Sequence, residues 1–255
     1  APQNTAPVLS AADKAATLTI NNDTDYEVDV AACLAEDTHI RAEGEGPQVL
    51  VFHTHASESY TPDAAFPYTP TEPERTTDTR YNVVRVGDEL CSALEERGIE
   101  TVHLRSLFDT PTYAGSYDRS LEAVEQALAE YPSVKVVIDL HRDSILTDEG
   151  VAYRTSCTID GTETAQLMFV VGTDAGGLYH PDWRENLSFA STLQYALNRA
   201  YPSLMRPLNL RTQRFDQHAS PGSLLIEVGS SGNTLPEALS AVRLFADVLA
   251  DEMTG

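Results

Sequence analysis

The amino-acid sequence predicts an α/β fold, a mostly parallel sheet flanked by helices on both faces. Three observations carry this. Runs such as Gln48 to Phe52 and Val134 to Leu140 are too apolar to be solvated on either face. Amphipathic helical stretches alternate with such runs, as βαβ units require. The breaks between them fall on Gly98, Pro132 and Pro202.

In chain order, residues 1–16 are rich in Ala, Pro and polar residues and are expected to be loose. Leu18 to Ile20 is a short β-prone run before the turn-like Asn21-Asn22-Asp23. Tyr26 to Ala35 reads as a short helix, because Val28, Ala31, Ala32 and Ala35 share a face. Arg41 to Pro47 is a linker by composition. It divides the chain into a lead-in of residues 1–46 and a main domain of residues 47–255. Gln48 to Phe52 then forms a buried strand. Ser59 to Thr79, with Pro62, Pro67, Pro70 and Pro73, is a long irregular loop.

Asn82 to Arg97 is helical, with Val83, Val86, Leu90 and Leu94 in one stripe and Gly98 as its stop. Ile99 to Leu104 is a strand, Ser116 to Tyr131 a helix, and Val134 to Leu140 another strand. Val151 to Thr158 and Gln166 to Val171 read as strands flanking the turn Asp160-Gly161. Arg184 to Tyr201 is a helix, Leu224 to Val228 a buried strand and Leu235 to Met253 the last helix.

Charge narrows the function. Asp plus Glu number 39 against 17 Lys plus Arg, a net charge of −22 over 255 residues. That excludes non-specific nucleic-acid binding, which needs cationic surface to displace counterions. It also argues against docking on an anionic membrane surface. No run approaches the roughly 20 apolar residues of a membrane span, and no signal peptide opens the chain. Ala1-Pro2-Gln3-Asn4 reads like the start of a trimmed chain. Cys33, Cys91 and Cys157 form no CxxC and read as small buried hydrophobes. There is no phosphate-binding loop, no GxGxxG and no GxSxG.

Three predicted strands end in polar residues that a buried strand does not need. The first runs into His53-Thr54-His55-Ala56-Ser57-Glu58, the second into His141-Arg142-Asp143, and the last carries Glu227 before Val228-Gly229. In parallel sheets, ligands bind at the carboxyl ends of strands. Imidazoles and carboxylates converging there are the ingredients of a mononuclear zinc site with three N/O ligands and an open position. His55 and Glu58 lie one turn apart, and His141 completes the set from another strand. Glu227 is the candidate proton acceptor, Arg142 and His218 the candidates to stabilise developing negative charge. His53 competes with His55, since alternation along a strand gives them one face and makes one of them a supporting residue. Asp78 competes with Glu58, although its Thr-rich setting suggests a helix cap.

Each has a plainer reading: a hydrogen-bonded strand-end histidine, a chance HxxE, a Glu227–Arg142 salt bridge, a surface His218. Glu227 is the least easily dismissed, because a carboxylate in a buried strand is costly without a partner. His39, His103 and His180 read as structural or exposed, and Trp183 as a helix staple.

Longer stretches carry a resemblance. HTHASESYTPD at 53–63, YNVVRVGDEL at 81–90, GSYDRSLEAVEQAL at 115–128 and VVIDLHRDS at 136–144 resemble the stage II sporulation protein P family. So do FVVGTD at 169–174, HPDWRENLSFA at 180–190 and RFDQHASPGSLLIEVGSSGNTLPEAL at 214–239, and the lead-in at 18–37.

The resemblance implies an amidase and zinc-carboxypeptidase-like architecture with residues 47–255 as the catalytic domain. It implies a zinc-dependent N-acetylmuramoyl-L-alanine amidase acting on peptidoglycan in septum thinning and engulfment. It places zinc on His55, Glu58 and His141, with Glu227 as the catalytic carboxylate. The implied partners are stage II sporulation protein D, a lytic transglycosylase, and a membrane protein of the same complex. The implied location is extracytoplasmic, at the sporulation septum, anchored in the full-length protein. Two alternatives stand beside it, a zinc peptidase acting on the stem peptide and a non-catalytic wall-binding protein.

Overall fold

The computed structural model describes residues 10–38 and 40–255, so His39 lies outside the described residues. The strands are β1 (Ile20–Asn22), β2 (Val49–Phe52), β3 (Thr101–His103), β4 (Val136–Asp143), β5 (Ser156–Ile159), β6 (Thr162–Ala165), β7 (Leu167–Val171), β8 (Leu208–Leu210) and β9 (Ser223–Ser230). The helices are α1 (Ala11–Ala15), α2 (Val30–Ala35), α3 (Val83–Glu96), α4 (Ser116–Glu130), α5 (Trp183–Ala200) and α6 (Leu235–Thr254), with a 3-10 turn at Gln217–Ala219.

Seven strands make one sheet in the order β1-β8-β7-β9-β4-β2-β3. All its pairings are parallel except β7 with β9. The α/β class with a mostly parallel sheet is therefore as expected. The three strands with polar ends, β2, β4 and β9, are immediate neighbours.

Period-2 alternation splits the sheet into two unlike faces. Val49, Val51, Ile138, Leu140, Leu224, Ile226 and Val228 pack in one large core with α3, α5 and α6. The α3 stripe of Val83, Val86, Leu90 and Leu94 is fully enclosed there. Burial of each such side chain contributes about 1.5–3 kcal/mol before entropy is counted. The other face is thinner: Leu50, Phe52 and Val137 pack with Val124 and Ala127 of α4. That thin face carries the polar strand ends.

Several boundaries differ from expectation. Residues 11–15 are helical rather than loose, because Ser10 and Asp13 form a reciprocal capping box. The strand run continues through Asn22, where a turn was expected; pairing with β8 supplies its partners, including Asn21 Nδ2–H to Asn209 Oδ1 at 3.0 Å. The helix expected from Tyr26 starts only at Val30, capped by Asp29, whose side chain accepts the Ala32 N–H at 3.1 Å.

The Asp160-Gly161 turn joins β5 to β6, not to β7, and this hairpin is a separate two-stranded sheet. Both turn residues have positive φ (48° and 82°), as a tight hairpin requires. Strand β8 was not expected at all. The lead-in contributes β1 to the main sheet and packs α2 on α5. All three cysteines are free thiols, with Cys91 buried. No described helix is long and apolar enough to cross a membrane.

Candidate active site

β4 and β9 run parallel with His141 opposite Glu227, so these side chains share the α4 face of the sheet. Asp139, two residues before His141, lies on the same face and pairs with Phe52 at the end of β2. The chain leaves β2 there and turns under α4, bringing Thr54, His55 and Glu58 beside them.

The centre is a carboxylate–imidazole cluster. Glu58 Oε2 lies 3.3 Å from His141 Nδ1, and Asp139 Oδ1 lies 2.8 Å from His141 Nε2. The second contact is an ion-pair distance without hydrogen-bond geometry, and that nitrogen is buried with no hydrogen-bond partner. The His55 ring stands edge-on to His141, with centroids 5.2 Å apart. Its Nε2 meets Tyr113 Oη at 2.8 Å and its Nδ1 meets Ser116 Oγ at 3.3 Å.

Burial opposes charge on His141, Glu58, His55 and Glu227, and partners overturn it at the first two. Burial would lower His141, yet Asp139 and Glu58 hold it well above its ordinary value. Burial would raise Glu58, yet His141, Arg142 and His55 hold it below the usual carboxylate range. Burial wins at His55, which it lowers, and at Glu227. Burial pushes its carboxyl well up, Glu58 and Asp143 add to that, and His141 only partly offsets it. Its Oε2 is shut off from solvent with no hydrogen-bond partner. A buried carboxyl oxygen without a hydrogen-bond partner, in register with an imidazole, is a candidate for proton transfer.

The other predicted residues are placed as follows. His53 turns the opposite way from His55, because the strand ends at Phe52 and its alternation stops. Its Nδ1–H donates to Leu140 O at 2.8 Å, and its Nε2 shares a 2.8 Å hydrogen bond with His103 Nε2. His103 Nδ1 in turn lies 3.0 Å from Asp88 Oδ1. Asp78 pairs with Arg80 at 2.5 Å on the surface, so Glu58 is the carboxylate that reaches His141. The helix cap is Asn82, not Asp78.

Arg142 does not bridge to Glu227. Its Nε–H donates to Ser59 O at 2.9 Å and its Nη2–H to Glu74 O at 2.6 Å, pinning the loop after β2. Its backbone N–H donates to Glu58 Oε2 at 3.2 Å. His218 sits on the 3-10 turn that leads into β9, beside His180 and facing Arg214 and Glu125. Glu227 stands further along that strand. His180 is fully buried.

Sequence reasoning missed Asp139, although the signal was there: a carboxylate inside a buried strand, two residues from His141. It also missed Tyr113, Ser116 and the Arg75–Asp109–Ser57 cluster that clamps the loop. Arg75 Nη1–H donates to Asp109 Oδ2 at 3.1 Å, and Ser57 Oγ–H donates to the same oxygen at 2.5 Å.

Metal capacity can be tested on the donors themselves. Tetrahedral zinc with bonds of about 2.0–2.1 Å has ligand–ligand edges of about 3.3 Å, and Glu58 Oε2 and His141 Nδ1 are spaced at 3.3 Å. His55 supplies a third nitrogen at the rim, with both ring nitrogens currently met by hydroxyls. Among the described residues no three side chains form a ready-made metal cluster. The donor chemistry and the one measured edge fit zinc.

The sequence model of the stage II sporulation protein P family matches residues 4–250. Stage II sporulation protein P of Bacillus subtilis (strain 168) is 32% identical over 219 residues, which make up 82% of this chain and 51% of that protein. The chain thus spans about half the length of that curated relative. Among solved structures, an N-acetylmuramoyl-L-alanine amidase of Nostoc punctiforme is similar at 13% identity and a TM-score of 0.45, over 82% of this chain and 97% of that one. An N-acetylmuramoyl-L-alanine amidase from Clostridium difficile 630 is similar at 12% identity and a TM-score of 0.48, over 82% and 95%.

Proposed function

The chain belongs to the stage II sporulation protein P family, and from that membership and its site we propose that it is a zinc-dependent N-acetylmuramoyl-L-alanine amidase. It cuts the amide between N-acetylmuramic acid and the L-alanine of the stem peptide in peptidoglycan. The observation that carries this reading is Glu227: a carboxyl on a buried strand, in register with His141, with Oε2 enclosed and unpaired.

In this reading His55, Glu58 and His141 hold the ion. Zinc, when bound, supplies a Lewis acid that lowers the pKa of water towards ~7 and polarises a carbonyl. Asp139 orients His141 from behind, as carboxylates behind ligating histidines do. Glu227 Oε2 takes a proton from the attacking water and returns it to the departing alanine nitrogen. Arg142 holds the loop that presents Glu58. Tyr113, 57% exposed and stacked on His55, forms the outer lip of the site.

Family membership supports the setting we propose. The enzyme acts at an extracytoplasmic face, in septum thinning and engulfment, anchored in the full-length protein. It works with stage II sporulation protein D and a membrane partner.

Digestion of purified peptidoglycan with zinc-loaded protein tests the chemistry. The expected product, by mass spectrometry, is muramic acid with a free lactyl carboxylate and intact stem peptide. Glu227→Ala is expected to lower its release by about 10²–10⁴-fold, the usual range for a lost acid–base group. Equal activity overturns the role of Glu227. Loss of a terminal amino acid instead marks a carboxypeptidase, and sedimentation with the wall without cleavage marks a binding protein.

A further inference from the structure

We propose that Asp216 is a neutral carboxylic acid in the folded protein, donating into a directed hydrogen-bond chain through Ser120 and Thr54 to Asp139, and is thereby a positioning residue for His141. The positioning role rests on the reading of the site given above.

Asp216 lies in the segment between β8 and β9, pressed beneath α4 and 5% exposed. Its Oδ2 is 2.7 Å from Ser120 Oγ. Ser120 Oγ is 3.0 Å from Thr54 Oγ1, which is 2.7 Å from Asp139 Oδ2. These are three oxygen–oxygen contacts in a row. Serine and threonine bring one hydroxyl proton each. With both end carboxylates ionised, one contact has no proton and sets lone pair against lone pair in a buried place, which is costly. The Ser116 and Tyr117 carbonyls, 3.0 and 3.2 Å from Ser120 Oγ, compete for its proton and deepen the shortage.

The missing proton belongs to one of the two ends. Asp139 already accepts two hydrogen bonds, from the Thr54 N–H at 2.9 Å and from Thr54 Oγ1 at 2.7 Å, whereas the Asp216 carboxyl meets Ser120 Oγ. Asp216 is faced by Tyr117 and Asp118 from α4, by Asp139 and His141 from β4, and by Arg214 on its own segment. Burial pushes it up to about 7, Asp139 adds to this, and Ser120, Arg214 and His141 pull it back. The order is therefore Asp216 O–H to Ser120, Ser120 O–H to Thr54, and Thr54 O–H to Asp139. Ionisation of Asp216 draws the Ser120 proton to itself, and Thr54 loses its donor.

A carbon-13 NMR titration of aspartate-labelled protein without added metal decides the protonation. One carboxyl carbon with a midpoint near 7, absent in Asp216→Asn, is expected; an Asp216 midpoint near 4 overturns the proposal. The folded pKa is raised, so the associated stability is full below the unfolded value and falls as pH rises towards 7. The melting temperature of wild type relative to Asp216→Asn is thus expected to drop between pH 4 and 7 and stay level above 8. A constant difference overturns the proposal.

On peptidoglycan at pH 6, Asp216→Ala is expected to lower kcat several-fold. Asp216→Asn, whose amide still donates to Ser120, is expected to restore most of it. Equal loss in both variants overturns the positioning role. If wild type itself releases no stem peptide, the amidase reading fails, while titration and melting still decide the proton.

Discussion

Two histidine pairs flank the end of β2 in opposite chemistry. His53 and His103 meet on the α3 side, where burial pulls both below their ordinary values. Gly87 of α3 backs onto them so closely that a Cβ there would lie 2.6 Å from both Nε2 atoms. His55 and His141 meet on the α4 side among carboxylates and hydroxyls, where burial lowers His55 but Asp139 and Glu58 hold His141 above its ordinary value. Two imidazoles separated by one residue thus lie in a packing layer and in the proposed site respectively. The difference teaches that the layer covering each face assigns the role, since residue type and spacing are the same for both.

The comparison breaks first at the chemical pair. His141→Ala is expected to bind markedly less zinc and to lose hydrolysis on the scale of Glu227→Ala, while His103→Ala keeps its zinc content. Metal analysis of the purified variants checks this, and unchanged zinc in His141→Ala removes that residue from the ligand set. At the packing pair, Gly87→Ala forces a methyl against the two rings. It is expected to cost about 1–3 kcal/mol, read as a shift in denaturation midpoint with zinc stoichiometry intact.

A smaller effect separates the roles of the hydroxyls. Tyr113→Phe frees His55 Nε2 from a neutral hydrogen bond worth about 1 kcal/mol. It is expected to tighten zinc binding a few-fold by competition titration; weaker binding would mean that Tyr113 holds the ring in place for the metal. The least effect is expected from Asp78→Asn. The Asp78–Arg80 pair is exposed, so neither melting temperature nor zinc content is expected to move.

Much of the sheet was legible in sequence because buried strands and striped helices leave periodic patterns. β4 and β9 were found from VKVVIDL and LLIEV, and α3 from its apolar stripe. β8 was not found, because three residues after Pro207 carry no period. The hairpin partner Thr162–Ala165 was missed because Thr-Glu-Thr-Ala is mostly polar, although its threonines favour extended backbone. In the site, Glu58, His141 and Glu227 were legible as polar residues where apolar strands end. Asp216 and Tyr113 were not, since they come from distant loops with no local mark of their destination.

The sequence by itself determined the α/β class, the strands whose ends carry polar groups and the membership of the family. These are properties of residue order and period. Only the tertiary structure decided that β2, β4 and β9 are neighbours, that His53 turns to α3 while His55 turns to α4, and that Glu58 rather than Asp78 meets His141. Those outcomes depend on strand order and on which helix covers each face. They are set by contacts between residues far apart in the chain, which local pattern does not encode.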